Sequence, residues 1–283
     1  MGQMASGSPP IKSAELSTGL TLPYVEQGDP AGVPVVFLHA FADSWRSFER
    51  VLPCLPRSIH GFAVTQRGHG DADRPASGYG VEEFAADVVA FMDAVGLEAA
   101  VLVASSSASL SVQRVAADQP KRTLGLVFVG APQSLRDKPA VGEFIDEVRA
   151  LSDPIDSEFV REFVEATLFR PVAPAFLETV ISENLKVPAR VWKATLEGLV
   201  EAVPATETAT IARPTLILWG DRDRFLPRSD QEALAAAIPG SRLVIYEGTG
   251  HAVHWEEPDR VAADVVALAE RLRPNRQRRV DGT

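Results

Sequence analysis

The sequence is poor in the residues that metal, redox and nucleic-acid chemistry require. Its 283 residues hold one cysteine, Cys54, which excludes an intramolecular disulfide framework and any cysteine-rich zinc or iron–sulfur site. Basic residues are in deficit, with 28 Lys+Arg against 38 Asp+Glu and a net charge of −10. Phosphate binding needs a basic surface, so nucleic acid is not expected as a partner. No apolar run approaches the ~18 residues of a membrane span. The opening segment, MGQMASGSPP, has neither the basic flank nor the apolar stretch of a secretory signal. Gly2 followed by Ser6 fits a myristoylation pattern, although a flexible tail is the plainer reading. The arginine-rich end, Arg271 to Thr283, reads as a solvated tail. A cytoplasmic location is expected, with no membrane partner, and a homodimer is left open.

What remains is ordinary globular material: hydrophobic residues make up 46% and charged residues 23%, enough to bury a core and too apolar for a disordered chain. The spacing predicts a hairpin (Glu15–Thr18 and Thr21–Glu26, turning at Gly19) and then Val33–Leu38, an apolar run suited to a strand buried on both faces. Trp45, Phe48, Val51 and Leu52 recur at helical spacing. Strands at His60–Thr65, Ala100–Val103 and Leu124–Val129 alternate with helices from Val81 to Met92 and Ser107 to Asp118. From Lys138 to Val203 only helical patterns occur. Alternation then resumes: strand Thr215–Trp219, helix Ser229–Ile238, strand Arg242–Tyr246, helix Pro258–Leu272. Strand–helix alternation with short loops implies a mostly parallel sheet flanked by helices, an α/β class. A core of 1–134 and 206–283 with an inserted helical cap at 135–205 accounts for the interruption.

The chemistry gathers at three strand ends. In AVLVASSSASL (Ala100–Leu110) a buried strand runs into serines and then a helix. A nucleophile on such a sharp turn needs small neighbours two residues either side. Centred on Ser106 these are Ala104 and Ala108. Centred on Ser105 they include Val103, which is too bulky, and Ser107 falls one residue late. Ser106 is therefore preferred over Ser107, against the bland alternative of a serine-rich helix cap. In TLILWGDRDRFLP (Thr215–Pro227) the strand end presents Asp221 and Asp223; Asp223 is chosen to orient a histidine, and Asp221 to bond backbone in the turn. In LVIYEGTGHAVHW (Leu243–Trp255) the strand ends at Gly-Thr-Gly and presents His251; His254 is assigned to local packing. The His251–His254 pair has no intervening Glu and no third ligand, so no metal is expected.

The order Ser106…Asp223…His251 is that of the α/β-hydrolase arrangement. The sequence resembles an α/β-hydrolase-fold serine hydrolase from about Leu20 to Leu272. VFLHAFADS (Val36–Ser44), RGHGDADRP (Arg67–Pro75), Pro214–Pro227 and GHAVHWEEP (Gly250–Pro258) resemble that family's successive loop motifs. The resemblance implies cofactor-free hydrolysis of a carboxylic ester or lactone. It also implies an oxyanion hole made by the Phe41 and Ser107 amides. Ala40, Ala104 and Ala108 stand where glycine is usual, and are read as tuning the substrate. Haloalkane dehalogenases and epoxide hydrolases of this fold use an aspartate nucleophile, which Ser105–Ser107 lack. Carbon–carbon bond hydrolysis, perhydrolysis, and a ligand sensor with a vestigial site stay open.

Phe41, Phe169 and Trp192 are the expected contacts to a small or medium-sized apolar substrate. His39 and His69 are expected to make structural hydrogen bonds, and His60 has no evident role. Cys54 reads as an unreactive helix-end residue.

Overall fold

Strands covered on both faces need apolar side chains at every position, and the central runs of this sequence supply them. The computed structural model describes residues 9–136 and 139–273. Gly2 and the tail arginines beyond Arg273 lie outside the described residues. Among the described residues eight strands form one sheet: β1 (Ile11–Glu15), β2 (Thr21–Gln27), β3 (Val33–Leu38), β4 (Ile59–Val64), β5 (Ala100–Ser105), β6 (Thr123–Val129), β7 (Thr215–Gly220) and β8 (Arg242–Tyr246). Their spatial order is β1-β2-β4-β3-β5-β6-β7-β8. The β1–β2 and β2–β4 pairs are antiparallel, and all later pairs are parallel.

Alternation along each central strand divides the core in two. Val36, Leu38, Leu102 and Ala104 pack on one face, while Val35, Phe37, Val101 and Val103 pack on the other. Helices α1 (Val81–Ala94), α2 (Ala108–Asp118), α8 (Arg228–Ala237) and α10 (Pro258–Arg271) flank the sheet, and the single turn α9 (Val253–Glu256) precedes α10. Arg67, which opens the loop after β4, is fixed by Asp87 of α1 in a buried bidentate pair with N–O distances of 2.6 and 2.7 Å. Both charges satisfy each other and Thr18 adds a hydroxyl, so the loop is held without an uncompensated buried charge.

Between β6 and β7 the described residues form five helices: α3 (Pro139–Ala150), α4 (Ser157–Ala166), α5 (Pro174–Leu185), α6 (Ala189–Glu201) and α7 (Ala205–Thr208). They bury a third apolar cluster around Trp192, Val160 and Val180, which also takes in Ala42 and Tyr79 from loops, and Trp255 from the short helix Val253–Glu256, at the carboxyl ends of the strands. The helical segment thus sits over the end of the sheet where active sites of open α/β folds form.

Two local expectations are corrected. The first hairpin strand is Ile11–Glu15, not Glu15–Thr18; the turn itself centres on Gly19 at φ +82°. Trp45–Phe48 and Leu52–Cys54 are short 3₁₀ turns in place of one helix. A three-residue repeat of apolar side chains suits a 3₁₀ turn as well as an α-helix, and Pro53 prevents the two from merging. Among the described residues no helix is long and apolar enough to cross a membrane.

Candidate active site

Strand β5 delivers Ser106 to a tight turn before α2. Its backbone sits at φ +46°, in the left-handed region that side chains with a Cβ avoid. The Ser106 amide donates to the Val129 carbonyl at 2.8 Å, so β6 pins the strained residue. Ala104 and Ala108 beside it are buried, and their methyls belong to the core cluster.

Asp223 lies in the loop after β7. Its Oδ1 accepts from the Phe225 and Leu226 amides at 2.8 and 3.0 Å, which fixes the carboxylate and leaves Oδ2 for one partner. That partner is His251, whose Nδ1 donates to Oδ2 at 2.7 Å, while Ser106 Oγ donates to Nε2 at 3.0 Å. The carboxylate is wholly buried and the imidazole is nearly so, at 12% exposure, so the proton path is shielded from bulk water. Asp221 instead accepts from the Gly248 amide at 2.6 Å and ties the two loops together.

Close backbone approaches hold His251 in place. Gly130 at φ +57° allows β6 to end against it; a Cβ there would stand 2.8 Å from the His251 carbonyl oxygen. The helical segment contributes a clamp. The Glu256 carboxylate accepts from the amides of Phe169 (2.8 Å), Arg170 (3.2 Å) and Gly250 (3.0 Å), and the Ala252 amide donates to the Thr167 carbonyl at 3.0 Å. Sequence reasoning missed Glu256; its place in the GHAVHWEEP motif was the available signal.

Ser106 and His251 open into a cavity of about 980 Å³, counting its mouth, whose walls include Phe41, Leu135, Phe144, Phe163, Leu196 and Phe225. Phe41 is thus one of the lining residues. Neither Phe169 nor Trp192 is among the lining residues. Phe169 is 48% exposed, with Arg222 over its ring. Trp192 is fully buried and packs edge-on against Phe41 at 4.9 Å between centroids, so it backs the wall and does not form it. Phe41 and Ser107 both line the cavity, and neither amide donates to a backbone carbonyl in the turns and loops of the described residues.

The remaining histidines are structural. His39 Nε2 accepts from the Gln66 amide at 3.0 Å, so its Nδ1 carries the proton and donates to the Ala40 carbonyl at 2.7 Å. Burial holds it well below the usual histidine range. His69 Nδ1 donates to the Arg67 carbonyl at 2.7 Å, and burial pushes its pKa down to about 4. His254 lies 2.9 Å from Ser47 Oγ and is depressed by burial to about 3. His60, unassigned from sequence, pairs with Glu26 at 2.7 Å. The Cys54 thiol donates to Asp259 at 2.8 Å; burial and then that carboxylate raise its pKa to about 11, away from reactivity. No group of three His, Cys, Asp or Glu side chains among the described residues is arranged to hold a metal ion.

A serine on a strained strand–helix turn, bonded to a histidine that is oriented by a buried aspartate, is an arrangement for covalent acyl chemistry on an open α/β sheet. The chain belongs to the alpha/beta hydrolase family, whose model matches residues 35–264. It is 25% identical to the non-heme chloroperoxidase of Streptomyces lividans over 90% of this chain and 98% of that one. It is 24% identical to lipase 1 of Psychrobacter immobilis over 94% of this chain and 86% of the other. Among solved structures, an esterase from Rhodococcus sp. ECU1013 superposes with a TM-score of 0.80 at 27% identity, covering 93% of this chain and 99% of that one.

Proposed function

We propose that the protein hydrolyses a carboxylic ester or lactone of a small to medium-sized apolar substrate. The observation that carries this reading is the unbroken hydrogen-bond chain Ser106–His251–Asp223 opening onto an apolar cavity. In the reaction, His251 Nε2 takes the Ser106 proton as Oγ attacks the carbonyl carbon. Asp223 holds the imidazole in the required tautomer and stabilises the imidazolium. The Phe41 and Ser107 amides receive the developing oxyanion, each donor lowering the barrier by ~3 kcal/mol. The imidazolium then protonates the departing alkoxide. Water, deprotonated by His251, attacks the acyl-Ser106 ester and releases the acid. Segment 135–205 acts as the cap that keeps this cavity apolar, and its Phe144, Phe163 and Leu196 meet the substrate.

The esterase similarity supports hydrolysis, while the chloroperoxidase similarity favours a second reading, perhydrolysis. There hydrogen peroxide replaces water in attacking the acyl-enzyme, giving a peracid from the same triad. A series of p-nitrophenyl esters of increasing acyl length, assayed with wild type and Ser106→Ala, tests the main reading. Turnover should pass through an optimum with chain length and vanish in the variant. Wild-type turnover retained in Ser106→Ala would place the nucleophile elsewhere. Peracid formed faster than free acid at millimolar peroxide would select the second reading.

A further inference from the structure

A second cavity of about 290 Å³, counting its mouth, adjoins the one that holds Ser106. Among the described residues four line both: Ala40, Phe41, Ser107 and Leu199. The walls of the second cavity include Val81 and Phe84 of α1, Ala108 and Ser111 of α2, and Thr195 of α6, and most of its surface is apolar. Helix α6 runs along the partition. Thr195 and Leu199, one helical turn apart and so on one face, both line the second cavity, while Leu196 lines only the first. Gly198 seats the helix here: a Cβ at that position would stand 2.9 Å from Gly80 Cα, closer than Cβ atoms approach. Leu199 is thereby held in place, buried with Val81 and Leu110 and packed by Phe41. Of the four shared side chains, those of Ala40 and Ser107 are too small to bar a substrate chain. Phe41 is braced against Trp192 and Phe163, with ring centroids 4.9 and 6.2 Å away, and its amide is a proposed oxyanion donor. Leu199 is the remaining bar.

We propose that Leu199 sets the acyl-chain limit of the site, by closing off a second cavity into which a longer linear acyl chain would otherwise extend. The proposal rests on the hydrolase reading. In that reading the substrate carbonyl lies at the partition, because Phe41 and Ser107 carry the oxyanion amides. The walls decide which half of the ester faces the second cavity. None of its described lining residues belongs to the Asp223 or His251 loops, while Phe225, His251 and Trp255 line the first. His251 protonates the departing alcohol, so the alcohol occupies the first cavity. The acyl group stays on Ser106, and the helix that follows Ser106 walls the second cavity through Ala108 and Ser111. A smaller residue at 199 joins the two spaces, because a buried Leu→Ala change leaves a void that its neighbours fill only in part.

The test measures kcat/KM for p-nitrophenyl butanoate and p-nitrophenyl decanoate. From wild type to Leu199→Ala the decanoate-to-butanoate ratio should rise about tenfold or more, because one methylene admitted to an apolar pocket is worth about that factor. Leu199→Val, a milder change, should raise it by less in the same direction. Filling the second cavity from α6, in the double variant Leu199→Ala/Thr195→Leu, should return the ratio to its wild-type value. A ratio unchanged in both variants of Leu199, or raised but indifferent to Thr195→Leu, would overturn the proposal. So would a wild type that turns over the decanoate as well as the butanoate. A gain seen only for decyl acetate over butyl acetate would assign the second cavity to the alcohol and overturn it equally. Calorimetric binding of methyl butanoate and methyl decanoate to Ser106→Ala, with and without Leu199→Ala, separates the two readings. Tighter binding of the decanoate alone on adding Leu199→Ala, with no ester turned over by wild type, would sink the hydrolase reading alone. Ester turnover by wild type without that tightening would sink the chain limit alone.

Discussion

Replacing Glu256 by alanine tests whether the inserted helices and the His251 loop form one mechanical unit. The Glu256 side chain is fully buried and accepts from three backbone amides, two in the insertion and one next to His251. Gly250 is buried, so its amide would lose its partner without gaining water, at about 1–3 kcal/mol. The Phe169 and Arg170 amides lie nearer the surface, where water replaces the carboxylate, and each forfeits about 0.5–1.5 kcal/mol. The sum is roughly 2–6 kcal/mol, a large fraction of the stability of an ordinary domain. The Arg170 guanidinium keeps Glu257 and Thr249, so its charge is not orphaned. Urea unfolding reads the stability, and ester kinetics read the site. Because Gly250 adjoins His251, kcat should fall about tenfold or more through misplacement of the imidazole, beyond any change in KM. A stability loss under about 1 kcal/mol together with unchanged kcat would refute the clamp.

Other expectations follow from single contacts. Asp223→Asn should lower kcat by about 10³–10⁴-fold with the fold intact. The Phe225 and Leu226 amides demand the carbonyl oxygen, which turns the amide NH₂ toward His251 Nδ1 and forces the wrong tautomer; near-native kcat would contradict this. Gly130→Ala should cost about 1–3 kcal/mol in chemical denaturation, since the residue sits at φ +57° and a Cβ would press on His251. Asp43→Asn should change the pH dependence of stability. With a folded pKa near 7 and an unfolded one near 4, Asp43 holds its proton only in the folded state between these values, so its contribution falls as pH rises. Removing it should make stability rise more steeply with pH over that window, by about 1.4 kcal/mol per unit. His254 and His69, both depressed by burial, act with the opposite sign in both proteins and cancel from the comparison. Superimposable profiles by urea titration at several pH values would count against a buried, proton-retaining Asp43.

The parallel strands were legible because both faces are buried and the apolar runs are continuous. The edge strand β1 was not, because of its five residues only Ala14 is buried and no alternation is visible. Ser106, Asp223 and His251 could be picked out together because each lies in the turn or loop after a strand, and the carboxyl ends of parallel strands converge on one side of the sheet. The cavity walls were less so. Periodicity showed that Trp192 is on a buried face of α6, but not that Phe41 stands between it and the cavity. Asn184 gave no local signal, and neither the Asp43 motif nor the assignment of His254 to local packing showed how deeply those side chains are buried. Each looks like an ordinary loop or helix residue until tertiary packing strips water from it.

The alanines in place of the usual glycines can now be separated by position. Ala42 (φ +61°) and Ser106 (φ +46°) are the two non-glycine residues with positive φ among the described residues; Ala42 is buried in the third cluster, and Ser106 lines the cavity. The strain at the elbow therefore sits on Ser106 itself, and a glycine at 104 or 108 would not relieve it. Those methyls fill the core cluster beneath the turn, where they add packing at the point that must resist the strain. Ala40 is different, because it borders the cavity beside Phe41, where the oxyanion is proposed to be held. Of the three substitutions, Ala40 is the one placed to act on the substrate, by narrowing the approach to that amide. Ala104 and Ala108 act on the scaffold.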